Sequence, residues 1–314
     1  MREHNFLSRV RPSGLLYYPA AIIVLVGLLG PSLIAADEGG IVAPGAKLQL
    51  LADTFSFTEG PVADADGNVI FTDQPNNKIY KWSTGGKLSV VSDDAGRANG
   101  LYMDKAGNLY ACADLNNQLW QIDPSGKVTV LVKDYEGKRL NGPNDLWIDP
   151  KGGIYFTDPL YKRDYWTGRE GLELDGQHVY YLSPDRKRLI RVATDLQQPN
   201  GIIGTPDGKR LYVADIRAQK TFVYQINPDG TLAGKRLFAE AGSDGMTMDD
   251  QENIYVTGRG VVTVFNVRGE KIDQIQIPER WVGNVTFGGK NRDILFITAS
   301  DSLYSIQTRV HGAR

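Results

Sequence analysis

A strand-turn-strand unit recurs six times along this chain and limits the folds that it can adopt. Each unit opens on a short polar stretch and continues through a turn into a segment of alternating apolar and polar residues; the openings read TEGPVAD, ANGLYMD, PNDLWID, PNGIIGT, SDGMTMD and GNVTFGG. The turn glycines lie about 40 to 56 residues apart, the period of propeller blades; they are Gly67, Gly107, Gly152 and Gly208. We therefore predict an all-β fold, a six-bladed β-propeller with four-stranded blades.

The two ends of the repeat region are expected to close the ring. The segment from Ala46 to Phe57 precedes the first complete repeat, and the ending DSLYSIQTRV is followed by no further repeat. One of the two is predicted to supply the strand that completes a blade begun at the other end, because closure removes sheet edges that favour aggregation.

The N-terminal segment, residues 1–36, is predicted to lie outside the propeller. Arg2, Arg9 and Arg11 precede an apolar run that ends in small residues at Ala36. This pattern is typical of a secretory signal peptide, and its length leaves an uncleaved membrane anchor as the alternative. We expect residues 37–314 to form a single propeller domain in the periplasm or outside the cell, bound to a membrane only if the segment is retained.

Charge and cysteine content exclude some classes of protein. The 314 residues have a formal net charge of −2, and loss of residues 1–36, with three Arg and one Glu, would change it to −4. A mildly acidic protein without a dense basic stripe is a poor nucleic-acid binder. The single cysteine, Cys112, cannot form an internal disulfide, so stability must come from core packing.

An oxygen-bearing side chain opens each of the six units. These residues are Glu59, Asn99, Asn144, Asn200, Asp244 and Asn284. Equivalent positions in a ring of blades converge on the axis, so we expect the six side chains to meet at one end of the channel. Turn chemistry alone would explain the Asn-Gly and Asp-Gly pairs, but it explains Glu59 poorly because Glu is a weak turn former.

Two carboxylates among amide oxygens favour a hard divalent cation, so we predict an axial metal site. Ca²⁺ is the expected ion, with Zn²⁺, Mg²⁺ or Mn²⁺ as alternatives; zinc is disfavoured because His4, His178 and His311 are too dispersed to form a set of ligands. The predicted metal ligands are Glu59, Asn144, Asn200 and Asp244. Asn99 and Asn284 are expected to bind substrate or water, a role that is also open to Asn144.

Asp145 stands where most other units carry glycine. Two interpretations of this carboxylate stay open. It either accepts hydrogen bonds from the backbone at the strand entry, or it supports the metal ligands and accepts a proton.

The segment from Leu160 to Val179 is longer than the other turns and rich in aromatic and charged residues. Long structured loops on a propeller face are often lids or binding loops. We expect a substrate pocket lined by residues of this segment, namely Tyr161, Tyr165, Trp166 and Arg169. The alternative is a solvated insertion stabilised by its own aromatic residues.

The ordered motifs of the chain resemble the gluconolactonase branch of the family that includes regucalcin (senescence marker protein). They are FTEGP, RANGL, GKRLNGPNDLWIDPKGGIYFTDP, QQPNGI, SDGMTMD and the ending FGGKNRDILFITASDSLYSIQTRV. The resemblance implies a divalent metal bound by Glu59, Asn200 and Asp244, with Asn144 at the metal or beside it. One departure stands out: many members carry C-E-H-G where this chain has Cys112-Ala113-Asp114-Leu115, which puts the substrate preference in question.

The resemblance also implies hydrolysis of lactones such as glucono-1,5-lactone. We therefore expect a metal-dependent lactonase in which the metal polarises the carbonyl for attack by water, with Asp244 as first and Asp145 as second choice of base. A phosphoesterase or phosphotriesterase-like propeller hydrolase and a non-catalytic binding propeller are the alternatives. The expected partner is a small-molecule lactone, with no nucleic acid; the oligomeric state does not follow from the sequence.

Overall fold

The computed structural model describes residues 40–169 and 171–313. The predicted signal peptide or anchor, residues 1–36, lies outside the described residues. Within the described ranges, no helix has the length and apolar character needed to cross a membrane.

The described residues form 24 β-strands in six antiparallel sheets of four strands each. The first three blades comprise β2 (Thr58–Ala63), β3 (Val69–Asp73), β4 (Lys78–Trp82) and β5 (Leu88–Ser92); β6 (Ala98–Met103), β7 (Leu109–Ala113), β8 (Gln118–Ile122) and β9 (Val128–Val132); and β10 (Leu146–Ile148), β11 (Ile154–Asp158), β12 (His178–Leu182) and β13 (Leu189–Ala193). The last three comprise β14 (Pro199–Gly204), β15 (Arg210–Asp215), β16 (Lys220–Ile226) and β17 (Leu232–Ala239); β18 (Met246–Met248), β19 (Ile254–Gly258), β20 (Val261–Phe265) and β21 (Lys271–Gln276); and β22 (Val282–Gly288), β23 (Ile294–Ala299), β24 (Ser302–Gln307) and β1 (Gln49–Ala52). This confirms the predicted six-bladed propeller.

The first strands of the blades form the inner ring. Each of β2, β6, β10, β14, β18 and β22 contacts its neighbour, and β22 contacts β2 to complete the circle. The outer strand of the sixth blade is β1, which pairs antiparallel with β24 through Gln49 opposite Ser305 and Leu50 opposite Tyr304. The segment before the first repeat therefore closes the ring, as one of the two predicted arrangements required.

Burial falls from the inside of each blade outward, which explains the pattern of the sequence. Every residue of β11, IYFTD, is buried, whereas β9 at the outer edge of its blade is mostly exposed. Between blades the largest fully buried side chains are aromatic, among them Tyr155, Tyr180 and Tyr212. Burial of each such side chain stabilises the folded state by roughly 1.5–3 kcal/mol. Packing between blades therefore supplies the stability that a chain without disulfides needs.

Aspartate turns join the first and second strands of four blades. Asp64, Asp104, Asp149 and Asp249 each accept hydrogen bonds through Oδ1 from the backbone N–H groups two and four residues on. These turns fix the end of the blade opposite to the strand entries. The strand entries therefore gather at the other end of the channel.

Candidate functional site

A cavity of about 830 Å³, here called the upper cavity, opens where the first strands begin. Four of the sequence-predicted residues line it: Glu59, Asn99, Asn144 and Asp244. Tyr161 lines it from the long loop after β11, and further lining side chains that the sequence analysis did not select are Arg163, Arg217, Arg259 and Trp281. The propeller thus brings together side chains as far apart in sequence as Glu59 and Trp281, which are 222 positions apart.

Glycines let neighbouring blades approach at this end. A Cβ on Gly60 would lie 2.1 Å from the carbonyl oxygen of Asn99, and one on Gly245 would lie 1.9 Å from Cγ of Asn284. A Cβ on Gly283 would lie 2.8 Å from Oε1 of Glu59. Each distance is shorter than van der Waals contact. Gly60 requires glycine because its neighbour is backbone, whereas a Cβ on Gly245 or Gly283 would displace the side chain of Asn284 or Glu59.

Threonines on the second strands hold the strand entries in place. Thr157 Oγ1 accepts a hydrogen bond from Asp145 N–H at 3.1 Å, and Thr257 Oγ1 accepts one from Gly245 N–H at 3.0 Å. Thr298 Oγ1 accepts one from Asn284 N–H at 3.1 Å. The equivalent bonds show that Asn284 occupies the register position of Asp145, one residue beyond the position of the predicted ligands.

Asn284 and Asp145 accordingly line a separate cavity of about 420 Å³ at the other end of the channel, here called the lower cavity. Asp145 Oδ1 accepts a hydrogen bond from Leu146 N–H at 2.9 Å. Burial raises the pKa of Asp145 to about 8, although hydrogen bonds from Leu146 N–H and the Asn284 side chain favour its charged form. The structure therefore differs from the expectation that all six side chains meet at one end: the sixth unit contributes Gly283 at the position of the predicted ligands, and the Asn284 side chain lies between Glu59 and Asp145 and lines the lower cavity.

A hydrogen-bonded group at the floor of the upper cavity surrounds Asp244. Asn200 Nδ2 donates to Asp244 Oδ1 at 2.7 Å and to Tyr161 Oη at 2.7 Å, while Trp281 Nε1 donates to Asp244 Oδ2 at 2.6 Å. Both carboxylate oxygens of Asp244 are thus held by donors, which fixes the plane of the carboxylate. The Trp281 contact could not be read from the sequence, since Trp281 precedes the strand of another blade.

Glu59 lies beside Asp244 and is equally buried. Its Oε2 accepts a hydrogen bond from Gly60 N–H at 3.0 Å, and the carboxyl groups of Glu59 and Asp244 are within hydrogen-bonding reach of each other. Burial first and the nearby Asp244 second raise the pKa of Glu59 well above its ordinary value; burial likewise raises the pKa of Asp244. Two buried carboxyls in contact disfavour their own ionisation, and a bound cation would remove that cost.

The donor set fits a hard divalent cation. Asn200 Oδ1 is buried and has no hydrogen-bond partner among the described residues, so one amide oxygen of the predicted ligand set is free to bind an ion. In the described ranges no three His, Cys, Asp or Glu side chains form a metal-type cluster. The site therefore depends on amide oxygens besides Glu59 and Asp244, a combination that suits Ca²⁺ or Mg²⁺ better than Zn²⁺.

The long loop after β11 is fastened to the second blade through Asp114. Tyr165 Oη and Arg163 Nε, the latter at 3.0 Å, donate to Asp114 Oδ2, and Trp166 Nε1 donates to its carbonyl oxygen at 3.0 Å. Asp114 stands in the CADL segment where the sequence departs from the family pattern. The segment that differs from the C-E-H-G pattern is therefore the one to which the loop is attached.

Of the other side chains of this loop, some line the upper cavity and others pack outside it. Tyr161 reaches the upper cavity as predicted, and Arg163 stacks on it with its guanidinium carbon 5.5 Å from the ring centre. Arg169 lies outside the cavity lining, with its guanidinium 4.4 Å from the ring centre of Trp166. Arg163, rather than Arg169, is the arginine of this loop that faces the site.

Comparison with known proteins places the chain among lactone-hydrolysing relatives. The family model described as SMP-30/Gluconolactonase/LRE-like region matches residues 57–301. A gluconolactonase of Zymomonas mobilis is 33% identical over 196 residues, 58% of this chain and 54% of the relative, so the matched part spans about half the length of that curated relative.

Two solved structures share the fold. A gluconolactonase from Xanthomonas campestris superposes with a TM-score of 0.78 at 28% identity, covering 86% of this chain and 95% of the other. Regucalcin from Agrobacterium tumefaciens, described as a calcium-binding protein, superposes with a TM-score of 0.70 at 18% identity, covering 86% of this chain and 96% of the other. At that lower identity the likeness concerns the fold alone.

Proposed function

This chain belongs to the SMP-30/gluconolactonase/LRE-like family, and we propose that it hydrolyses the ring ester of a sugar lactone in the upper cavity with the aid of a divalent cation. The observation that carries the proposal is the buried pair of Glu59 and Asp244 beside the unpartnered Oδ1 of Asn200. The names of the relatives supply the substrate class, since they are called gluconolactonases and lactonases.

Glu59, Asn200 and Asp244 are the proposed metal ligands, with Asn144 at the cavity wall as the fourth. Ca²⁺ is the proposed ion, because carboxylate and amide oxygens are its preferred ligands. When bound, the cation would supply a Lewis acid to the lactone carbonyl.

The side chains around the ligands have separate tasks. Asn99 and Asn144 line the cavity with amide groups that can hydrogen-bond to the hydroxyl groups and carbonyl oxygen of a sugar lactone. Tyr161 and Trp281 hold Asn200 and Asp244 in one arrangement, so the reactive geometry exists before substrate arrives.

Asp244 is the proposed base. It accepts a proton from the attacking water while the water oxygen bonds to the carbonyl carbon; the bond from that carbon to the ring oxygen then breaks, and the ring oxygen takes up the proton from Asp244 to become a hydroxyl group, which regenerates the base. The product is the open-chain hydroxy acid. Asp145 lines the lower cavity; its side chain shares Asn284 with Glu59, and its charge acts directly on Glu59 and Asp244.

A pH-indicator assay of D-glucono-1,5-lactone tests the proposal. Turnover is expected with Ca²⁺, is expected to fall with a chelator, and is expected to be lost in Asp244→Asn but retained in Asp229→Asn, an exposed turn aspartate. Turnover that survives both the chelator and Asp244→Asn would contradict it. Hydrolysis of phosphoesters in place of every lactone offered would favour the phosphoesterase alternative.

A further inference from the structure

One half of the rim of the upper cavity is cationic. Arg163, Arg217 and Arg259 all line this cavity. Each is carried by the connection between the second and third strands of its blade, from β11 to β12, from β15 to β16 and from β19 to β20. These are three consecutive blades, so the three guanidiniums lie along one side.

The equivalent connections of the other three blades carry no cationic side chain; Arg97, in the connection from β5 to β6, lies at the same end of the propeller but stacks on Tyr165 and does not line the cavity. The same connections in the first, second and sixth blades read QPNN, DLNN and SD, and they contain no lysine or arginine. The asymmetry is therefore built into equivalent positions of the repeat. A general need for solubility would not place the cations on one side.

Two of the three guanidiniums have no anionic partner within the described part of the chain. Arg217 and Arg259 are exposed, and among the described residues neither forms an ion pair with a carboxylate. Arg163 does have one, with Nε 3.0 Å from Asp114 Oδ2, and its side chain stays 24% exposed. The charged groups on the cavity wall are these three cations and the acids Glu59 and Asp244. A divalent cation would balance the two acids and leave the cavity positive.

We propose that the substrate carries an anionic group, a carboxylate or a phosphate, at the end remote from the lactone ring, and that Arg217 and Arg259 bind this group. The proposal rests on the proposed lactonase function and narrows its substrate class. Guanidinium groups donate paired hydrogen bonds to the oxygens of such anions, and a positive cavity raises the rate of capture of an anionic substrate. A volume of about 830 Å³ accommodates a sugar acid with an extra charged substituent.

The test compares matched neutral and anionic lactones. 6-Phospho-D-glucono-1,5-lactone is paired with D-glucono-1,5-lactone, and D-glucaro-1,4-lactone is paired with D-glucono-1,4-lactone. We expect kcat/KM to favour the anionic member of at least one pair by tenfold or more. The pair that shows the preference distinguishes a phosphate from a carboxylate.

The double variant Arg217→Gln/Arg259→Gln is expected to reduce that preference by about tenfold to 100-fold, the range for lost hydrogen bonds to a charged group. The control Lys127→Gln/Arg236→Gln removes two exposed cations outside the cavity lining, so it matches the change in net charge and is expected to keep the preference. Equal kcat/KM for neutral and anionic members, or a preference that the double variant keeps, would overturn the proposal.

Calorimetry gives a readout that does not depend on turnover. The Ca²⁺-loaded protein is expected to bind 6-phosphogluconate or glucarate more tightly than gluconate, and the double variant is expected to lose the difference. Absence of turnover with any lactone would count against the proposed function. Tighter binding of the more highly charged acids by the same preparation would still support the anion site at Arg217 and Arg259. Equal binding of charged and less charged acids would count against the site itself.

Discussion

Asn200 Nδ2 donates to Asp244 Oδ1 at 2.7 Å, and this bond turns the amide oxygen of Asn200 away into a buried position without a partner among the described residues. A buried unsatisfied carbonyl-type oxygen costs about 1–3 kcal/mol. An arrangement that leaves this oxygen free beside two acids is readily explained by an ion that the three residues bind together. The relationship between Asn200 and Asp244 thus links the geometry of the site to its proposed cofactor.

Ca²⁺ binding is expected to raise the free energy of unfolding, and loss of a metal ligand is expected to reduce this gain. In thermal unfolding, Ca²⁺ at about 100 times its dissociation constant should add about 2.7 kcal/mol, because it binds only the folded state. Asn200→Ala should reduce this gain, since it removes the free amide oxygen. Asn227→Ala, at a turn outside the site, should leave it unchanged. An equal gain in both variants would show that Asn200 is not a ligand.

Loss of the Asp114 carboxylate is expected to loosen the long loop after β11. Asp114→Asn removes the ion pair with Arg163 and weakens the bond from Tyr165, so KM should rise several-fold while kcat changes less, because Asp114 lies outside the group around Asp244. Limited proteolysis within residues 160–177 should become faster.

The matched control for that loop is Asp175→Asn, at an exposed aspartate of the same loop that pairs with Arg191. It should leave KM near the value of the unaltered protein. If cleavage of the loop were as slow in Asp114→Asn as in the unaltered protein, Asp114 would not be the attachment point.

The close approach of blades at the strand entries predicts a steric effect. In Gly245→Ala the added Cβ would lie 1.9 Å from Cγ of Asn284, so the Asn284 side chain or one of the two blades must shift. Overpacking of this kind destabilises by about 1–3 kcal/mol. Gly85→Ala, whose Cβ would meet only Ser83 Oγ at 3.7 Å, is the control. Urea denaturation should separate the two variants, and similar midpoints would argue that the ring is more compliant than its contacts indicate.

Removal of β1 is expected to open the ring. A chain that starts at Asp53 loses the outer strand of the sixth blade and leaves β24 as an unpaired edge. Edges of this kind favour pairing between molecules, so we expect a lower melting temperature and aggregation that rises with protein concentration. A chain that starts at Gly40 keeps β1 and should behave as the full chain does; equal aggregation of the two would contradict the role of β1.

The sequence was sufficient to predict the propeller and most of the inner ring. Period-two strands, glycine turns and the spacing of the units predicted six blades and limited the closing strand to one of the two terminal segments. The same spacing identified Glu59, Asn99, Asn144 and Asp244 at the upper cavity. These predictions depend on local chemistry that repeats, and each repeat confirms the others.

The sixth blade shows where counting along the chain failed. Its loop between Phe287 and Leu295 is longer than the loop between Ile148 and Ile154 in the third blade. Alignment on the turn therefore displaced Asn284 by one position relative to the hydrogen-bonding threonines. Successive side chains of a strand point to opposite faces, so a shift of one residue places a side chain on the other face. Asn284 therefore lines the lower cavity together with Asp145.

What the sequence alone determined is the number of blades, their closure and the residue types at the strand entries, because these follow from periodicity and turn chemistry. What only the tertiary structure decided is which of those side chains share a cavity, that Trp281 and Tyr161 hold Asp244 and Asn200, and that Arg163 rather than Arg169 faces the site. These contacts join residues of different blades. Their geometry is set by packing between sheets, which no local pattern in the chain encodes.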